Sequence, residues 1–95
     1  MLDQESNFRK FAAEAGYGRV DVGRFDRGQT ITARAREEDF SALLLEGELE
    51  LTTPNGAVVL HPGDTWSFAA GVVFGERVLG ADPVRFLFAT RRFSD

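Results

Sequence analysis

From Gly18 onward the chain alternates apolar and polar positions with a period of two, which is the mark of half-buried strands. Before that point the period is helical. In FRKFAAEAG, Phe8, Phe11, Ala12 and Ala15 fall on one face, Ser6 stands ahead of the stretch and Gly16 follows it. One short amphipathic helix is therefore expected at about 6–15, packed on the rest of the domain. Val20, Val22 and Phe25 lead to a turn at FDRGQT, and TITARAR makes the next extended run. FSALLLEGELELTT follows, with a sharp bend at Glu46-Gly47. Pro54-Asn55-Gly56 and Pro62-Gly63-Asp64 are turn signals on either side of AVVL, and TWSFAAG, RVLG and VRFLFATRR supply the closing strands.

Seven or eight short strands, with a turn every eight to twelve residues, indicate an all-β sandwich or closed barrel at about 18–92 behind the single helix. At 95 residues the chain supports one domain and one small core. Nine phenylalanines, one Trp and one Tyr supply the large apolar area such a core needs. With no cysteine, disulfides, thiolate metal sites and cysteine nucleophiles are all excluded. A net charge of -4 argues against a nucleic-acid groove. No apolar run approaches a membrane span or a signal peptide, so the expectation is a soluble, cytoplasmic protein without a membrane or nucleic-acid partner.

The order Gly28, extended strand, LLLEGELEL, PNG turn, HPGDTWSFAAG and GERVLGADPVRFLFATRR resembles a small single-domain cupin, the jelly-roll barrel of the conserved β-barrel superfamily. The resemblance covers nearly the whole chain and implies residues 1–95 as one cupin domain. It also implies a homodimer, since single cupin barrels generally pair through a sheet edge or face. Cupins usually hold a divalent metal on a His-x-His pair, a Glu and a later His. Counting from Gly28 places Arg34 and Arg36 at the paired histidines, and counting back from Gly47 places Phe40 at the glutamate. Counting from Gly63 places Ala69 at a proline, Gly71 at a glycine and Phe74 at the last histidine. All four usual ligands are replaced. A guanidinium has no free lone pair and a phenyl ring offers no donor atom, so no metal and no other cofactor is expected.

Strict alternation puts Arg34 and Arg36 on a face with Thr30 and Thr32, opposite Ile31, Ala33 and Ala35. By that reading the arginines point to water, and Glu37, Glu38 and Asp39 form a solvated loop beside them. The resemblance implies the opposite, that both arginines point into the mouth of the barrel, and a slip of one residue exchanges the two answers. The inward placement is the expectation adopted. It makes Arg34, Arg36, Phe40, Phe74 and Glu76 a ligand pocket for a small carboxylate- or phosphate-bearing molecule. Three alternatives stay open. Arg34 and Arg36 are neutralised internally by acids such as Glu76; or the chain is a metal-independent isomerase, lyase or sugar- or nucleoside-modifying enzyme with Glu76 moving a proton; or it is a structural dimer whose barrel is filled by Phe40 and Phe74. Phe74 is expected to occupy the interior in either case. His61, the single histidine, belongs to an exposed turn. Trp66 and Phe68 alternate with Thr65 and Ser67 and are expected in the core.

Overall fold

The computed structural model describes residues 3–92. It begins with α1 (Gln4–Glu14), followed by β1 (Val20–Phe25), β2 (Thr30–Ala35), β3 (Asp39–Glu46), β4 (Glu48–Thr53), β5 (Gly56–Leu60), β6 (Thr65–Phe68), β7 (Val73–Leu79) and β8 (Val84–Arg91). The helix starts two residues earlier than its apolar stripe suggests. Asp3, not Ser6, is its N-cap, accepting from the Glu5 backbone N–H at 3.1 Å. Asp3 also accepts from the Ser6 hydroxyl at 3.2 Å, so the serine supports the cap from inside the first turn.

The eight strands form two antiparallel four-stranded sheets in the orders β1-β8-β3-β6 and β2-β7-β4-β5, the jelly-roll arrangement. Successive strands from β1 to β4 therefore alternate between sheets. The bend after β3 makes one of these crossings at Gly47, whose φ is 91°. A side chain there would also meet the Pro83 carbonyl oxygen at 2.7 Å, so the corner demands glycine on two counts. Between the sheets lies the main core of Phe40, Ala42, Leu44, Leu49, Leu51, Leu60, Trp66, Phe74, Val78, Val84 and Phe86. A smaller cluster of Phe8, Leu43 and Leu87 seals α1 onto the outer face of the first sheet. That second layer explains β3, which is buried on both faces from Asp39 to Leu44.

The β2–β7 pairing is interrupted. Ile31 stands opposite Glu76 and Arg34 opposite Phe74, so Thr32 and Ala33 together face the single residue Gly75. This is a β-bulge, and it reverses the phase of everything after it. Ile31 and Arg34, which strict alternation would put on opposite faces, share the inner one. A Cβ on Gly75 would sit 2.8 Å from the Ala33 nitrogen and 2.9 Å from the Ile31 carbonyl oxygen. The bulge is thus packed against a position that has no room for a side chain.

Phe74 itself is 1% exposed, with its ring stacked 4.4 Å from that of Phe68 and 5.6 Å from that of Phe40. Phe74→Ala is expected to cost about 3–5 kcal/mol, the range for emptying a closed aromatic site. Urea denaturation measures it, and a change under about 1 kcal/mol would show that the site collapses freely. Gly75→Ala should destabilise by about 1–3 kcal/mol through backbone displacement at the bulge, in contrast to the neutral or stabilising effect of the same change at an unconstrained strand glycine.

Candidate functional site

Inward-facing residues of β7 and the bulged end of β2 meet at a buried carboxylate. Glu76 is 2% exposed. Its Oε2 accepts from the Trp66 indole N–H at 3.1 Å, and its Oε1 accepts from Arg36 Nη2 at 3.3 Å. The guanidinium of Arg36 is held between two rings, its central carbon 4.9 Å from the Phe40 centroid and 4.8 Å from that of Phe74. Each ring face attracts the cation. Arg36 Nε is buried and finds no hydrogen-bond partner among the described residues.

Burial pushes the Glu76 carboxyl above the ordinary glutamate value, opposed by the Arg36 charge and the Trp66 hydrogen bond. Two donors and a cation do not fully replace the water the group has lost.

Arg34 is placed differently. It is exposed, and its guanidinium makes no ion pair or side-chain hydrogen bond with the described residues. It borders a cavity of 280 Å³ together with Phe25, Ile31, Arg36, Phe40, Glu76, Phe86 and Phe88. This cavity lies between the sheets, beside their edge strands β1 and β2. Of the five residues anticipated for the pocket, Arg34, Arg36, Phe40 and Glu76 line it, whereas Phe74 is packed into the core beside it.

Neither reading of the arginines survives whole. The bulge brings both toward the mouth, yet Arg36 is neutralised by Glu76 while Arg34 is not. Ala33 and Ala35, which alternation would bury, are exposed.

Asp39 also departs from expectation. Far from a solvated loop, it is 3% exposed. Its Oδ1 accepts from the Ala70 backbone N–H at 2.8 Å, and its Oδ2 accepts from Arg91 Nη2 at 2.8 Å and Nε at 3.1 Å. Arg91 in turn donates to the Ala15 carbonyl and lies 4.7 Å from the Tyr17 ring centroid. The pair therefore ties β3, β8, the end of α1 and the loop after β6 together. Glu37 remains exposed.

The lining residues that sequence reasoning missed are Phe25, Ile31, Phe86 and Phe88. Phe86 and Phe88 share the alternation of VRFLF with Val84, a signal that marks one face without saying whether it borders core or cavity. Trp66 was expected as core, and it is 4% exposed; its bond to Glu76 joins β6 to β7 across the sandwich. His61 lies in its exposed turn, 3.3 Å from Glu48 Oε2. A second cavity, 310 Å³ in volume, lies outside the sandwich between α1 and the Ser41–Ser67 hydroxyl pair. No charged side chain lines it, and it offers less chemistry than the mouth.

The residues at the mouth do not fit a divalent cation. Arg34 and Arg36 bring permanently protonated guanidiniums without a free lone pair, and aromatic rings flank Arg36. The one carboxylate lining the cavity already accepts from Trp66 and Arg36. Among the described residues no three His, Asp or Glu side chains converge as a metal site would require.

Solved structures share this architecture. A cupin superfamily protein from Desulfitobacterium hafniense DCB-2 superimposes with a TM-score of 0.68 at 20% identity, over 78% of this chain and 66% of that one. The cupin domain of Schizosaccharomyces pombe Cnp3 gives 0.72 at 15% identity, over 78% of this chain and 52% of that one. A cupin domain from Bordetella pertussis Tohama I gives 0.62 at 22% identity, over 78% and 80%. The chain is a cupin-fold jelly roll, and it spans between half and two thirds of the length of the first two of these structures. No protein-family model and no curated protein matches its sequence. Among the described residues no helix is long and apolar enough to cross a membrane.

The two buried carboxyls respond to acid in opposite senses. The Ala70 N–H and the Arg91 hydrogen bonds hold Asp39 below its ordinary 3.8. Its stabilising contribution is full above that value and is lost as pH falls through the lower, folded one. Glu76, raised by burial, burdens the fold at higher pH, and acid relieves that burden as pH falls through its folded value toward 4.5. In urea denaturation across the acid range, the stability gap between the wild type and Asp39→Asn should narrow below about pH 4. A gap that stays constant down to about pH 2 would mean that Asp39 is not held ionised by these donors.

Proposed function

We propose that the protein binds a small anion at the mouth between its two sheets, with Arg34 as the anchor and the aromatic walls covering the rest of the ligand. The observation that carries this reading is a guanidinium bordering a largely apolar cavity with no partner among the described residues. The Nε–H of Arg36 is buried without an acceptor among the described residues. Arginine offers a planar fork that matches a carboxylate or phosphate in two parallel hydrogen bonds.

Binding is favoured over turnover because Glu76, the one carboxylate lining the cavity, has both oxygens engaged. No other titratable acid or base lines the space. A barrel filled by its own phenylalanines fits the geometry less well, since 280 Å³ stays open beside Phe40.

Ligand-observed NMR with a mixture of small carboxylates and phosphates tests the reading. Saturation transfer is expected to at least one anion with the wild type and to vanish with Arg34→Gln, whose exposed position leaves the fold intact. Transfer that persists in the variant, or no transfer to any anion, would rule out Arg34 as an anion anchor.

A further inference from the structure

We infer that the mouth is built for a monocarboxylate with a compact aromatic or branched apolar body, an inference that rests on the anion-binding reading and narrows it. Charge sets the first limit. Three charged side chains line the cavity, Arg34, Arg36 and Glu76. Arg36 and Glu76 cancel one another at 3.3 Å, and donors on both Glu76 oxygens are the partners an ionised carboxylate takes. One positive charge is left, on Arg34. Glu37 and Glu38 border the adjoining depression with Arg34 and Arg36. A dianion such as a phosphate monoester would bring one charge more than Arg34 offers, beside the two carboxylates at the edge.

The walls set the second limit. Apart from the three charged side chains the lining is Phe25, Ile31, Phe40, Phe86 and Phe88, with no hydroxyl, amide or imidazole among them. Sugar or nucleoside hydroxyls entering here would surrender water and find no replacement. A ring or branched alkyl group loses nothing and gains contact with the phenylalanines, two of which, Phe25 and Phe88, are only partly buried. Volume sets the third. The space of 280 Å³ matches about nine water molecules at ~30 Å³ each, which suits an acid of roughly ten heavy atoms.

Isothermal titration of the purified protein at neutral pH separates these limits, with benzoate, benzamide, acetate and inorganic phosphate as probes. Benzoate is expected to bind at least about tenfold tighter than the other three, a difference equivalent to one good charge-assisted hydrogen bond or one buried ring. In Arg34→Gln, benzoate should fall to the level of benzamide. Phosphate binding as tightly as benzoate would overturn the monocarboxylate class, and acetate doing so would overturn the apolar body; either result leaves the anion site standing. Benzamide matching benzoate in the wild type, or no binding by either benzoate or phosphate, would overturn the anion site and this inference together.

Discussion

Two residues of β2 stand opposite one residue of β7, and the chemistry at the mouth depends on that mismatch. The bulged strand crowds Gly75 so closely that a single added carbon would strike the backbone of Ala33 and Ile31. The extra residue turns the strand by half a period. Ile31, before it, and Arg34, after it, then face the same interior, and Arg36 follows in phase to reach Glu76. Without the bulge the alanines would line the mouth and both arginines would face solvent. A glycine thus decides which side chains of β2 face the interior.

Two carboxylates are buried among the described residues, and their surroundings give them different work. Asp39 is the acceptor in a structural joint: a backbone N–H and a two-pronged arginine stabilise its charge, and Arg91 carries the connection on to the helix end. Glu76 has fewer donors and deeper desolvation. Its main effect is to hold Arg36 flat between Phe40 and Phe74 and to remove that arginine's charge from the cavity. Buried ion pairs seldom add much stability over a well-packed apolar alternative, but removing one partner is costly because the other charge is left alone. The geometry here is consistent with a role in placement: the pair fixes a guanidinium between two rings and leaves Arg34 without an ion pair among the described residues.

An all-β sandwich or barrel behind one helix was legible in the chain, and the jelly roll followed from the resemblance to cupins. Alternating apolar positions, glycine-rich turns and a short helical stripe are local signals, and they mark the helix, seven or eight strands and the bend at Gly47 without any knowledge of neighbours. The burial of Phe74 and Trp66 followed from large rings on strands that must cover a small core.

Pairing decided the rest. A bulge exists only between two strands, so alternation within TITARAR could place the arginines on either face. The burial of Asp39 could not be read from the acidic stretch it ends, because its donors come from Ala70 and Arg91, distant in sequence and adjacent only after β3 pairs with β8. The same holds for Trp66 and Glu76, which lie in different sheets and meet across the interior. Whether Phe25, Phe86 and Phe88 fill a core or wall a cavity depends on how far apart the sheet edges stand. The sequence by itself determined which residues are apolar, charged or able to turn; the tertiary structure decided which charges are cancelled, because cancellation needs a partner within a few ångströms and only folding supplies one.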